Sequence, residues 1–232
     1  MILDRKTLRN GAFLKAFRKI TGPGLWSESR IEQSMQTMLK AHVTGEPLWI
    51  FAYGSLICNP LFQYADKQQA VLDGWHRSFC IRLIIGRGTV EQPGRMLALE
   101  PGGNTSGLAY RFHEDTLENE LRMVWMREMV AGFYKPVWAD VTVADGRTLR
   151  AIIFAADPAH MFYEKDSSPD NIISSISTAY GNLGRNRDYV LRLNEALCHH
   201  GIVDEYIHEL AARLTAEDPS EHEPGHSHLL YR

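Results

Sequence analysis

Two places in this chain combine residue types that can do chemistry. The first is Tyr53-Gly54-Ser55-Leu56, which follows the apolar run Leu48-Trp49-Ile50-Phe51-Ala52. A strand this apolar sheds its side-chain bulk at Gly54 and Ser55. A tight turn there can present successive backbone N–H groups to an anion or oxyanion, and glycine lets a ligand approach the main chain. An ordinary turn after a core strand leaves the same trace, and the four residues alone favour that plainer reading.

The second place is Glu128, in the helical stretch TLENELRMVWMREMV, residues 116–130. At about 100° per residue with Leu117 at zero, Leu121 falls near ~40°, Val124 near ~340° and Glu128 near ~20°. Glu118 and Glu120 fall off this stripe on either side, so Glu128 is the glutamate expected to face the interior. Met123, Met126 and Val130 lie on the far side, which suits a helix covered twice. A buried carboxylate is costly unless hydrogen-bonded or put to use. Burial raises its pKa toward the range a general base or acid needs near neutrality. A structural glutamate paired with Arg127 or with a strand arginine fits the same pattern, as does one emerging at the helix end.

Other motifs carry less. His222-Glu223-Pro224-Gly225-His226 satisfies HExxH, but Pro224 and Gly225 oppose the helix that puts both histidines on one face. His222, His226 and His228 read as a solvated tail, and no metal site is expected. His199-His200 at a helix end suits the macrodipole and needs no catalytic role. Ser55 lacks the GxSxG elbow of a serine hydrolase. Gly86-Arg87-Gly88 and Gly181-Asn182-Leu183-Gly184 lack the spacing of phosphate loops.

The elements that must position Glu128 and the turn can be outlined. The chain has 232 residues, a net charge of −3 and 44% apolar residues. It is long enough for a core without staples. The charge gives no electrostatic case for nucleic acid or an anionic membrane, and the apolar runs are too short for a spanning helix. The N-terminus is too charged for a secretory signal. Cys58, Cys80 and Cys198, odd in number and without CxxC, read as buried thiols in a reducing cytoplasm, where the sequon Asn104-Thr105-Ser106 is a polar loop. The first 45 residues read as helical, with Ile31, Met35, Met38 and Leu39 recurring after a cap at Ser27 or Ser29. Strand patterns follow at 48–53, 70–85, 95–100, 106–112, 133–143 and 148–156, with the 116–130 helix among them. Helices return at 169–179, 187–200 and 203–216, with Gly201 as a C-cap. Strands gathered in the middle and helices on either side mean α+β, a small mixed β-barrel with flanking helices. The expected division is an N-terminal helical extension (1–46), a main domain (47–217) and a polar His-rich tail (218–232).

These residues resemble a known family. Tyr53-Gly54-Ser55-Leu56 at a strand end is similar to the signature of the γ-glutamylcyclotransferase fold, its ChaC branch of bacterial type. FCIRLIIGRGT (79–89), PGRMLALEPG (93–102), SGLAYRF (106–112), MREM (126–129) followed by GFYKP, and GNLGRNRDYV (181–190) come in the family's order. Each is weak alone, and together they cover about residues 47–210. The resemblance implies a cytoplasmic lyase without cofactor or metal, acting on a small molecule, glutathione. It implies no nucleic-acid or membrane partner and a monomer or weak dimer. The α-amine of the γ-glutamyl group attacks its own γ-carbonyl, giving 5-oxoproline and Cys-Gly. The family's catalytic glutamate falls on Glu128, which helical periodicity selects independently. The Tyr53–Leu56 turn would hold the γ-glutamyl moiety. Tyr134 and Tyr189 are expected to hydrogen-bond substrate or base, and Arg87 or Arg82 to meet a substrate carboxylate. Cys58 reads as packing. The same chemistry on γ-glutamyl amino acids or amines, or a non-catalytic γ-glutamyl-binding regulator on the same fold, are the alternatives.

Overall fold

The structure, a computed structural model, describes residues 3–21 and 25–216, and of residues 17–21 the backbone only. Five strands form its centre: β1 (Trp49–Ala52), β2 (Asp66–Leu83), β3 (Gly94–Arg111), β4 (Tyr134–Val143) and β5 (Thr148–Ala156). They run in the order β1-β3-β2-β4-β5 and close into a barrel. Closure depends on β1, which pairs antiparallel with β3, Phe51 opposite Ala109, and parallel with β5, Ile50 opposite Ile152. Paired on both sides and covered on both faces, β1 is buried along its whole length, as its unbroken apolar run requires. Ile50, Phe51, Ile152 and Phe154 are at most 1% exposed. Each such side chain contributes roughly 2 kcal/mol of burial, so the end of β1 is anchored in the core.

The expected strands at 95–100 and 106–112 are one continuous strand, β3. Pro101-Gly102-Gly103 reads as a break, but both glycines take positive φ and carry the strand through a bend. Its partner β2 shifts register at the same level, between Asp73 and Trp75, where Gly74 also has positive φ. The sequon is therefore strand and not loop, and Thr105, 1% exposed, donates its hydroxyl to the Trp75 carbonyl oxygen (2.8 Å).

The helices are α1 (Arg5–Arg9), α2 (Ala12–Thr21), α3 (Glu28–Leu39), α4 (Ser55–Cys58), α5 (Leu117–Glu128), α6 (Pro169–Thr178), α7 (Asn186–His199) and α8 (Glu205–Ala216). Ser27 caps α3, its Oγ accepting from Arg30 N (3.1 Å). Gly201 takes the left-handed conformation just past the end of α7. The single turn α4 is not evident in the sequence pattern. It begins at Ser55, inside the residues that read as a simple turn.

The helical wheel needs one correction on α5. Glu120, expected off the interior stripe, is 1% exposed. The reason is a second interior face: α1 packs on this side of α5, and Arg5 donates to both carboxylate oxygens of Glu120 (2.7 and 2.8 Å). Two of the thiols also differ from expectation. Cys80 is buried, but Cys58 and Cys198 are exposed because they end α4 and lie in the last turn of α7. Among the described residues no helix is long and apolar enough to cross a membrane.

Candidate active site

β1 ends at Ala52, and the chain passes through Tyr53 and Gly54 into α4. The Tyr53 carbonyl is held by a guanidinium that no sequence pattern singles out. Arg77, 4% exposed, donates from Nε to Tyr53 O (2.7 Å), from Nη2 to Ser106 O (2.6 Å) and from Nη1 to Asp204 Oδ2 (2.6 Å). One side chain thus ties β2 to the end of β1, to β3 and to the start of α8. After Gly54, the first intrahelical donor is Ile57 N, to Gly54 O (2.8 Å). The N–H groups of Ser55 and Leu56 lie ahead of it, in the part of a helix that leaves donors without intrahelical partners. Glycine at 54 allows a close approach: a Cβ there would meet the Tyr189 hydroxyl at 3.1 Å and Leu97 Cδ2 at 3.2 Å and press both side chains back.

A small recess of about 20 Å³ lies over this turn, room for about one water on that measure. Tyr53, Gly54, Ser55 and Leu56 line it together with Glu128, Tyr134 and Tyr189. It shares Ser55, Glu128, Tyr134 and Tyr189 with a larger cavity of about 450 Å³. Seven of the eight residues expected at the site therefore border the recess, and the eighth, Arg87, borders the larger cavity. Arg82 does not. It alternates outward on β2, 44% exposed and 3.7 Å from Glu164.

Glu128 is the last residue of α5, and its side chain is 11% exposed. Its Oε1 is buried and accepts no hydrogen bond, although Arg127 Nε lies 3.1 Å away in poor alignment. Burial raises the carboxyl pKa, and the charge of Arg127 partly offsets this. Arg127 is itself fixed to the turn: Nη2 donates to Ser55 Oγ (2.8 Å) and Nη1 to Asn59 O (2.5 Å). Glu128 does pair with Arg127, but the guanidinium directs its aligned N–H groups to Ser55 and Asn59, and the carboxylate oxygen accepts no hydrogen bond.

The tyrosines are positioned by their own hydrogen bonds. Tyr53 donates to Phe154 O (2.6 Å) and Tyr134 to Leu97 O (2.9 Å). Each hydroxyl oxygen keeps the capacity to accept. Burial, followed by neighbouring acidic groups, holds Tyr53, Tyr134 and Tyr189 above the ordinary phenol range, so all three are neutral. Cys58 is exposed as a residue, but the surrounding cavity edge desolvates its thiol and raises its pKa, which keeps a thiol and not a thiolate there.

Sequence reasoning missed the cationic side of the larger cavity. Arg95, Arg127 and Arg192 border it together with Arg87. Arg95 binds Glu164 through Nη2 (2.5 Å), while its Nη1 is buried without a partner. Arg87 donates to Arg185 O (2.9 Å) and sits 5.9 Å from the Tyr189 ring centroid. Asn186, fully buried, was also missed: it accepts from Arg95 N (2.7 Å) and donates to Arg95 O (2.9 Å), pinning the start of α7 to β3. The two glycine motifs that lack phosphate-loop spacing are packed on each other, and Leu183 N donates to Gly86 O (2.7 Å). A Cβ on Gly181 would lie 2.3 Å from that oxygen. Their pattern of small residues signals close backbone contact within the protein. The HExxH residues lie outside the described residues, and among the described residues no cluster of metal-ligating side chains is present.

The profile of the family described as ChaC-like protein matches residues 48–217. A relative from Escherichia coli (strain K12), a glutathione-specific gamma-glutamylcyclotransferase, is 43% identical over 220 residues, 94% of this chain and 95% of its own. One from Homo sapiens, glutathione-specific gamma-glutamylcyclotransferase 1, is 32% identical over 171 residues, 70% of this chain and 77% of the relative. The crystal structure of a selenomethionine-labelled gamma-glutamyl cyclotransferase specific to glutathione from yeast aligns with a TM-score of 0.69 at 19% identity, over 77% of this chain and all of the other. At that identity the likeness is one of fold.

Proposed function

The chain belongs to the ChaC-like family, and from that premise we propose that it cleaves glutathione to 5-oxoproline and Cys-Gly, with Glu128 as the proton-transfer group. The observation that carries the mechanism is the Glu128 Oε1 atom, buried and without a hydrogen bond where the recess meets the larger cavity.

The γ-glutamyl end of the substrate enters the recess, and the Cys-Gly end occupies the larger cavity. The α-ammonium loses a proton to the Glu128 carboxylate, whose raised pKa suits it to that step. The freed amine attacks the γ-carbonyl carbon of the same molecule and closes the five-membered ring. Holding amine and carbonyl together is a proximity effect. The N–H groups of Ser55 and Leu56 face the oxygen as it becomes negative, and the oxygens of Tyr134 and Tyr189 accept from the amine. The C–N bond then breaks as Glu128 returns its proton to the departing nitrogen of Cys-Gly. The carboxylate takes the second proton of the former amine, which leaves a neutral lactam N–H, and passes it to the released amine of Cys-Gly. Both reacting groups belong to the substrate, so this chemistry requires no cofactor or metal. Arg87, with Arg95 and Arg192, meets the substrate's carboxylates as an array of fixed positive charge.

Residues 47–217 form the catalytic domain in this reading, with 1–46 as an extension and 218–232 as a tail. The protein acts in the cytoplasm as a monomer or weak dimer. The test is incubation of the purified protein with reduced glutathione, without added metal. Equal amounts of 5-oxoproline and Cys-Gly are expected. Product from γ-glutamyl-alanine but not from glutathione would retain the chemistry and overturn the substrate. No product from either would overturn the reading and favour a binding protein.

A further inference from the structure

The larger cavity has one wall made by a part of the chain that precedes the barrel. Leu3 and Phe13 border it, on the same space as Glu128 and Arg87. Phe13 is 4% exposed and belongs to the continuous apolar core. Val130 and Phe133, just past α5, continue that wall, so an apolar surface stands in a cavity that also holds four arginines.

This wall is built and fastened. Asp4 caps α1 through a reciprocal capping box with Thr7, Asp4 Oδ1 accepting from Thr7 N (2.7 Å) and Thr7 Oγ1 from Asp4 N (3.1 Å). That cap sets the direction in which Leu3 enters the helix. Arg5 joins α1 to Glu120 of α5 by two hydrogen bonds and donates a third to Leu61 O (3.1 Å). Glu120 also accepts from Gln63 N (2.8 Å). The carboxylate therefore locks together α1, α5 and the loop that follows the Ser55–Cys58 turn. A segment serving only as an outer cover would not need to be bolted to the loop that leaves the active-site turn.

We propose that this N-terminal segment determines specificity at the thiol end of the substrate: Leu3 and Phe13 wall the space for an unsubstituted cysteinyl side chain and exclude bulky substituents on its sulfur. The proposal rests on the reading of the site given above. The chemistry fits a small, weakly polar thiol against an apolar surface, while the glycyl carboxylate turns to the arginines. A group added to sulfur would press on a wall anchored through the half-exposed Arg5 and the buried Glu120.

The test compares kcat/KM for glutathione and for S-hexylglutathione in the full-length wild type, Phe13→Ala and Leu3→Ala. Wild type is expected to favour glutathione strongly. Phe13→Ala should reduce that preference by about tenfold or more, the range in which hydrophobic pockets discriminate small apolar groups, with KM for glutathione raised. Leu3→Ala, at a half-buried position at the edge of the core, should move the ratio in the same direction. Simple loss of folded protein lowers both substrates equally and leaves the ratio unmoved. A wild type that accepts both substrates alike, or a ratio unchanged in both folded variants, would overturn the wall. Absence of 5-oxoproline from glutathione in the wild type would instead overturn the function on which it rests.

Discussion

At the scale of single residues, Arg127 binds Ser55 and Asn59 at the turn while Glu128 Oε1 beside it accepts no hydrogen bond. Glu128 is legible in the sequence because helical periodicity is local, and its place on the apolar stripe needs no knowledge of the rest of the chain. Glu128→Gln is isosteric and removes the carboxylate that the proposed mechanism uses as its base. It should fold, keep the wild-type circular dichroism spectrum and lose about 10²–10⁴-fold in 5-oxoproline formation. Full activity would remove Glu128 from the mechanism. Its raised pKa is a stability cost at high pH: the folded state holds the proton more tightly, so the contribution is present below the unfolded pKa and is lost as pH rises through the folded one. The neutral glutamine avoids that cost, and the variant should be no less stable than wild type above neutrality. Arg127→Met deletes the charge that opposes the effect of burial. Because the base must be deprotonated to act, the acid limb of the kcat/KM profile should move to higher pH in this variant. A limb that stays in place would show that the guanidinium serves only to hold Ser55.

At the scale of elements, what matters is how α7 and β3 are brought to the turn. Arg95 and Asn186 are 91 residues apart, yet the Asn186 side chain closes both hydrogen bonds of the Arg95 peptide groups. Gly94 permits this approach, since a Cβ there would lie 2.5 Å from Asn186 Oδ1. Tyr189, one helical turn later, inherits its place over Gly54 from that clamp. Asn186→Ala removes the partner of two part-buried backbone groups of Arg95, which should cost about 1–2 kcal/mol. The urea midpoint should fall accordingly, and KM for glutathione should rise as Tyr189 and Arg95 lose their register. An unchanged midpoint would mean that water replaces the amide without loss. No periodicity marks Asn186, because a buried amide inside a polar run looks like a capping residue. The motif around it, GNLGRNRDYV, carries the signal only as part of a family resemblance.

At the scale of the whole molecule, the barrel supplies rigidity and the segments around it supply the walls. The Arg5–Glu120 pair joins the first helix to the centre. Burial alone would raise the Glu120 pKa, but hydrogen bonds from Arg5 and Gln63 N and the charges of Arg5 and Arg9 outweigh it, and the pKa is lowered. Such a group adds stability that is present above its unfolded pKa and is lost as pH falls through its folded pKa. Glu120→Gln should therefore be less stable than wild type at neutral pH, with the difference shrinking in strong acid. Urea titrations at the two pH values check this, and a difference independent of pH would assign the loss to packing. The α+β class, the helix carrying Glu128 and the Tyr53–Leu56 turn are all legible in the amino-acid sequence. Each rests on local periodicity, side-chain chemistry or an ordered set of short motifs. The burial of Glu120, the choice of Arg87 over Arg82, the meeting of the two glycine motifs and the place of Leu3 and Phe13 at the cavity are decided only by the tertiary structure. Each is a contact, or the lack of one, between segments far apart in the chain, and packing alone determines which of many chemically equivalent residues arrive at the same place.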